Sequence, residues 1–344
     1  MQLSRSQILN FRRRVAALDE RLPMTAKSLR LAAWCGLQDS MPRAALLSIH
    51  ARVAGAGPTV WEHRSLVQLW GPRFSAYVVA AKDLPVFSLG RLPADTRGHA
   101  RAQSTVSRLH DFLDGRRMPF GQAGHAMGVI PNSLRYGAPT GRILIRWEGA
   151  QQPVVWTGPA PEMEASHARL ELARRYLHIF GPTTAASFRD WAGIRPAEAR
   201  AAFEALRSEL TPVRTPIGDA WILADDEAAF RARPDAAAAA RLLPSGDTYF
   251  LLWEADRKLL VPNAKQRAAL WTSRVWPGAL LVNGEIIGVW RRAGGEVSIE
   301  LWRRISAAER KAIEAEAMAL PLPNLTGWLN VEMRSAHRVP RPAQ

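Results

Sequence analysis

The sequence predicts an α+β protein: three tandem winged-helix units, a variant of helix-turn-helix, followed by a C-terminal β-barrel-like domain. Three observations carry this expectation. The third quarter of the chain reads as three helices and then a hairpin, the winged-helix order. The same order can be traced twice upstream. Beyond residue 241 the pattern changes to short apolar strands separated by turn residues. At 344 residues with 47 % hydrophobic side chains, the chain can bury substantial cores, about two domains' worth by length.

In the first unit, Ile8, Phe11, Val15 and Leu18 fall on one face of a helix over 4–18. A second helix covers 26–36. A third runs over 42–54, with Pro42 at its start and Ala45, Leu46, Ile49 and Val53 on one face. A segment near Trp61–Val67 leads into a hairpin that turns at Gly71-Pro72-Arg73 and returns over Phe74–Val79. In the second unit, 101–114 and 119–129 read as helices, followed by a short helix near 132–138. Arg142–Trp147 and Pro153–Trp156 then flank the turn Glu148-Gly149-Ala150-Gln151. The third unit is the clearest. Leu170, Leu172, Ala173, Leu177 and Phe180 mark a helix over 165–180, which Gly181-Pro182 stops. Thr184 caps the next helix and Gly193 closes it. Pro196 opens a third helix, and Leu210–Thr215 and Ala220–Leu223 pair around Pro216-Ile217-Gly218-Asp219.

The predicted boundaries are therefore 1–100, 101–160 and 161–225 for the three units, 226–240 for a partly helical linker, and 241–344 for the C-terminal domain. In that last part, Tyr249–Trp253, Ala279–Val282, Ile286–Arg291 and Val297–Leu301 read as strands. Asn283-Gly284 between two apolar runs is a strong hairpin signal. Ser306 with Glu309 forms a capping box for a helix over 306–319.

Charge points to a partner. The net formal charge is +15, from 46 basic and 31 acidic residues. Residues 1–150 hold 21 basic and nine acidic side chains, a net of +12, whereas residues 151–344 carry only +3. Of the basic residues 41 are Arg, which GC-rich coding explains, but coding bias does not explain their concentration in one half. A positive surface of that kind suits the phosphates of double-stranded DNA. An interaction protein without a DNA role fits that distribution poorly.

Several classes are excluded. No apolar run is long enough to span a bilayer, and no apolar stretch follows Arg12-Arg13-Arg14, so neither a membrane helix nor a secretory signal is expected. An Arg-rich transit peptide stays open. Cys35 is the only cysteine and fits a reducing, cytoplasmic setting. Asn324-Leu325-Thr326 matches a glycosylation sequon that has no consequence there. The eight histidines show no ligand spacing, and there is no P-loop, Gly-x-Gly-x-x-Gly, His-Glu-x-x-His or Gly-x-Ser-x-Gly. No metal and no cofactor are expected. Three different units in one chain fit a monomer on asymmetric DNA better than a dimer on a palindrome.

One ordered set of segments covers nearly the whole chain. Gly36-Leu37-Gln38-Asp39-Ser40 runs into Pro42-Arg43-Ala44-Ala45-Leu46-Leu47. Trp61, His63-Arg64-Ser65-Leu66-Val67, Gly71-Pro72-Arg73 and Asp83-Leu84-Pro85 follow. Then come Arg175-Tyr176-Leu177, Gly181-Pro182, Phe188-Arg189-Asp190-Trp191, Leu243-Pro244 with Asp247, and Pro277–Arg291. This set resembles the bacterial AlkZ-like family of tandem winged-helix proteins. The resemblance implies a C-shaped, basic DNA-binding channel and a metal-free DNA glycosylase that removes N7-alkylated purines or unhooks interstrand crosslinks. The family's catalytic motif is Gln-Φ-Gln, or Gln-Φ-Asp, with Φ apolar. By that resemblance Gln38 takes the first position, Asp39 the apolar one, and Ser40 the last.

The chemistry needs a water placed at the sugar C1′ and stabilisation of the charge that develops there. An N7-alkylpurine already carries positive charge and leaves without an acid. Gln38 can orient water through its amide oxygen. Ser40 can hold water but brings no charge. Asp39 could compensate only if it turned into the channel. As plain structure, Ser40 and Asp39 are helix caps ahead of Pro42. The DNA-facing candidates are Arg43, Arg64 on a helical segment of the first unit, Arg73 in its wing, Arg135 and Arg142 at similar places in the second unit, His63, and Trp70 beside the Gly71 turn. A second reading, a non-catalytic winged-helix DNA-binding protein or regulator, follows from the serine at position 40.

Overall fold

The computed structural model describes residues 1–41, 43–148, 151–233, 236–322 and 329–335. Helices and strands are mixed along all of it, as an α+β protein requires. Pro42, Gly149-Ala150, Pro234-Asp235 and Asn324-Leu325-Thr326 lie outside the described residues.

Helix α1 (Arg5–Val15) starts at a reciprocal Ser4/Gln7 capping box, and α2 (Ala26–Ala32) at Thr25, whose hydroxyl accepts the Ser28 N–H. Then follow β1 (Leu37–Gln38), α3 (Ala44–Arg52), β2 (Leu66–Trp70) and β3 (Ala76–Ala80). The strands form an antiparallel sheet in the order β1-β3-β2, with Gln38 opposite Tyr77. Leu29, Ala33, Leu46, Ile49 and Val78 fill the space between helices and sheet.

Helix α1 does not join this core, contrary to expectation. Ile8 and Phe11 pack with Val213, Ile222 and Phe230 of the third unit, with Phe11 stacked on Phe230 at 3.7 Å. The buried Arg12 donates to the carbonyls of Phe180, Gly181 and Pro182 and to Asp256. An amphipathic face states that it needs a partner; tertiary contact decides which.

Helix α4 (Leu84–Leu89) follows β3. The second unit comprises α5 (Thr96–Leu113), β4 (Met118–Pro119), α6 (Phe120–Ala126), a short helical segment over Pro131–Thr140, β5 (Ile143–Arg146) and β6 (Val154–Thr157). Its sheet order is β4-β6-β5. Val106, Leu109, Leu134, Ile143 and Val155 share a core with Trp70 from β2. The third unit is α7 (Ala165–Phe180), α8 (Ala185–Ala192), α9 (Pro196–Ala205), β7 (Leu210–Thr215) and β8 (Gly218–Leu223). Thr184 caps α8, and Gly193 ends it with φ +70. Helix α10 (Glu227–Arg231) lies in the expected linker.

The C-terminal part differs from expectation: it holds three helices where the sequence announces one, and its strands are arranged differently. Its elements are β9 (Arg241–Leu243), α11 (Glu254–Leu260), α12 (Ala264–Leu270), β10 (Gly278–Val282), β11 (Glu285–Ala293), β12 (Glu296–Leu301), α13 (Ala307–Met318) and β13 (Asn330–Ser335). The sheet order is β13-β12-β11-β10-β9, with β13 parallel to β12 and the other pairs antiparallel. Among the described residues the end strands do not pair, so the barrel-like expectation is corrected to an open five-stranded sheet. Ile313 and Ala317 of α13 pack against its Leu280, Val282 and Val297. Tyr249–Trp253 is not a strand either. Asp247 accepts the Tyr249 N–H through its carboxylate and the Phe250 and Leu251 N–H groups through its carbonyl, so the segment turns. Its apolar residues are buried from several sides at once, and burial without alternation imitates a strand in sequence.

One large core links these parts. It runs from Leu9 through Tyr77, Trp191 and Phe250 to Trp302. No helix among the described residues is long and apolar enough to cross a membrane.

Candidate active site

The segment 37–40 is extended, so its side chains alternate. Leu37 is buried beneath the first sheet, Gln38 points away from that core, Asp39 is buried again, and Ser40 follows Gln38. Gln38 and Ser40 both line one cavity of about 390 Å³, together with Arg73, Trp253, Arg274 and Trp276. Asp39 does not line it.

Asp39 is 3 % exposed and fully engaged. One carboxylate oxygen accepts the Ala45 N–H at 3.0 Å, which caps α3. The other accepts from Gln68 Nε2 at 2.7 Å, and Gln68 Oε1 accepts the Trp147 N–H at 2.8 Å. A catalytic role for Asp39 is therefore corrected: it ties α3 and β2 to the second unit. Burial pushes its carboxyl up to about 7, against the Ala45 and Gln68 hydrogen bonds and the charge of Arg43. Ser40 is not the cap, and among the described residues its hydroxyl has no hydrogen-bond partner.

Asp39→Ala is expected to cost about 3 kcal/mol, from the lost cap and the stranded Gln68 amide. The carboxyl binds its proton more tightly folded than unfolded. The wild-type advantage over this variant should therefore be full below the unfolded value and shrink as pH rises from about 4 through about 7. Urea unfolding of both proteins across that range checks it. A difference that stays constant, or grows with pH, contradicts this placement of Asp39.

Arg73 is the largest surprise. Its turn, Pro72–Phe74, does join β2 to β3, but the side chain does not reach outward as a wing arginine would. Arg73 Nη2 donates to Gln38 Oε1 at 3.2 Å, and its guanidinium lies 4.5 Å from the centroid of Trp253. A Cβ built on Gly246 would lie 3.4 Å from the Gln38 amide carbon. Arg257 sits over Trp276 at 5.3 Å, and exposed Arg274 stands at the rim. Among the described residues, no carboxylate lines the cavity.

The other sequence candidates are not in this cavity. Arg43 covers Trp61 at 3.9 Å and donates to the Trp147 carbonyl. Arg64 is not on a helix; it lies with His63 in the exposed turn before β2, where His63 Nδ1 is 2.8 Å from the Ser65 hydroxyl. Arg135 lies near Trp70 and Phe120, and its pKa is lowered by burial. Arg142 donates to the Gly158 carbonyl. Trp70 is 1 % exposed, so it offers no face to a base and belongs to the core instead. The sequence reading missed Trp276, Arg257 and Arg274, and placed Trp253 on a strand. Pro277 beside Trp276, and the turn residues Ser245-Gly246 upstream of Trp253, were the available signal that these tryptophans sit on loops.

The family model described as DNA glycosylase AlkZ-like matches residues 31–321, a span that holds every residue of this cavity. The chain belongs to the AlkZ-like DNA glycosylase family. Among solved structures, the Streptomyces sahachiroi DNA glycosylase AlkZ is similar in fold, with a TM-score of 0.76 at 17 % identity, covering 97 % of this chain and 100 % of that one. No curated protein matches the sequence. Within the AlkZ-like family match, the Gln38–Ser40 segment meets Trp253 and Trp276, from the far end of the matched span, at one cavity.

Proposed function

We propose that the protein is a monofunctional DNA glycosylase that hydrolyses the N-glycosidic bond of N7-alkylated purines or crosslinked bases in double-stranded DNA, acting as a cytoplasmic monomer in repair or genotoxin resistance. The observation that carries this reading is the cavity that Gln38 and Ser40 share with Trp253 and Trp276. Its volume suits a base taken out of the stack, and the two indoles supply apolar surface for it. The three helix-and-hairpin units serve in this reading as tandem winged helices along a concave basic channel. The +12 charge of residues 1–150 supplies attraction for the phosphates.

The cavity's donor set matches one kind of leaving group. With no carboxylate among its lining residues, nothing there can protonate a departing base. An N7-alkylated purine needs no proton, because it carries positive charge and departs neutral with the bonding electron pair. Water held by Gln38 Oε1 and Ser40 Oγ attacks C1′ and loses its proton to solvent as the sugar cation is quenched. Only positioning is asked of the protein. One observation favours the second reading, a DNA-binding protein without excision. Ser40 brings a neutral hydroxyl where the family motif has an amide or a carboxylate.

Binding to an undamaged duplex should weaken by on the order of 100-fold or more between about 50 and about 200 mM salt, as several phosphate contacts require. Fluorescence anisotropy at stepped salt measures this; a flat response contradicts the basic channel. In an excision assay the product strand should break only after alkali, since no lysine is among the cavity's lining residues to serve as an amine nucleophile.

A further inference from the structure

We propose that Arg73 is a positioning residue: its guanidinium, held over the Trp253 ring, fixes the carboxamide of Gln38 with Oε1 toward Arg73 so that the remaining lone pair of that oxygen is aimed for the attacking water. This rests on the glycosylase reading for its function, but the geometry stands by itself.

A glutamine amide can sit in two orientations that differ by exchange of oxygen and nitrogen, and hydrogen bonding selects between them. Here the selecting donor is Arg73 Nη2, 3.2 Å from Oε1. A carbonyl oxygen has two lone pairs, so this bond leaves one free for water. Without the bond the amide could turn its NH₂ group to the same place, where it would offer hydrogens to a water that must be held by an acceptor. Gly246 packs against the amide as well.

The arrangement is imposed on Arg73 at a cost. Both Arg73 and Phe74 have left-handed backbone, at φ 54 and 57, which is unfavourable for side-chain-bearing residues. Arg73 Nη1 is buried with no hydrogen-bond partner among the described residues, although a guanidinium turned to solvent would have every donor hydrated. The third unit buttresses the turn. A Cβ on Gly193, at the end of α8, would lie 3.1 Å from the Arg73 Cα, and its φ of +70 also favours glycine. A surface arginine for phosphates needs none of this support. Lysine would keep the charge but lose the planar fork that sits over Trp253 while reaching Gln38.

The test compares Arg73→Met, Arg73→Lys, Gln38→Ala and the Gln38→Ala/Arg73→Met double variant. Methionine keeps the apolar stem against Trp253, and thermal melting confirms each fold. Single-turnover release of base from a duplex containing N7-methylguanine should fall up to about 100-fold in Arg73→Met and nearly as far in Arg73→Lys, with duplex affinity changed little. In the Gln38→Ala background, Arg73→Met should add nothing further. Rates that multiply independently, or an Arg73→Lys variant as active as wild type, overturn the inference. A second readout needs no activity. In protein labelled with ¹⁵N-glutamine, the side-chain amide signal of Gln38, assigned by its loss in Gln38→Ala, should shift in Arg73→Met. A shifted signal in a protein that releases no base would keep the positioning and remove the glycosylase reading. An unshifted signal removes the positioning, whatever the activity.

Discussion

Asp247→Ala is expected to lower the folding stability by about 3–5 kcal/mol, the largest effect of any single substitution considered, because it strands a buried charge. Asp247 is 1 % exposed. Its carboxylate accepts two hydrogen bonds from Arg52, at 2.7 and 2.8 Å, one from Ser48 at 2.7 Å and one from the Tyr249 N–H at 2.9 Å. Burial alone would push this carboxyl up. The charge and donors of Arg52, with Ser48 and Tyr249, outweigh burial and hold it below its ordinary value. Its contribution is therefore present at neutral pH and lost as pH falls through the carboxylate range. Arg52 and Ser48 belong to α3, so the cluster pins the first unit to the segment that carries Gly246 and Trp253. Loss of Asp247 leaves Arg52, itself 1 % exposed, without its counter-charge and frees the far wall of the cavity. Urea unfolding with the slope compared between variants measures this. A cost below about 1 kcal/mol would show that the pair contributes no more than an exposed one.

Gln38→Ala carries the largest expected effect on activity. Base release should fall by about 100- to 1000-fold, the range found when one preorganised hydrogen-bonding group is removed from an active site. Gln38 is half-buried and its only side-chain partner among the described residues is Arg73, so stability should change little. Duplex affinity should hold as well, because the channel's charge is untouched. Single-turnover kinetics with enzyme in excess separate the chemical step from binding. Equal loss of affinity and rate would make Gln38 a DNA contact and move the water-positioning role elsewhere.

Local chemistry was legible in the sequence wherever it was decided locally. Thr184 and Gly193 bound α8, Ser306 with Glu309 opens α13, and Asn283-Gly284, both at positive φ, turns β10 into β11. What distant segments decide was not legible. Residues 330–335 join the sheet in parallel beside β12, from across a helix, and no turn signal announces that. Helix α1 finds its partners far along the chain, in β7, β8 and α10. The candidate site divides along the same line. The alternation that sends Gln38 and Ser40 one way and Asp39 the other follows from an extended segment, but whether Asp39 faced cavity or core depended on Gln68 and Ala45. Arg73 looked like a wing arginine because a Gly-Pro-Arg turn does sit at a hairpin tip. Its inward path depends on Trp253, which belongs to the C-terminal part of the chain. The basic excess was read correctly as an amount of charge, but four of the arginines in residues 1–150, Arg12, Arg13, Arg52 and Arg91, are buried, and each binds carbonyls or carboxylates inside the protein.

The most direct test of the central claim is to incubate the wild-type protein with a duplex carrying a single N7-methylguanine and to detect free base by mass spectrometry. Released base, with an abasic strand that breaks only after alkali, is the result this account predicts. Tight, salt-sensitive binding with no base released from that duplex or from a crosslinked one would contradict it, and would mean that Gln38 and Ser40 line a cavity kept for binding alone.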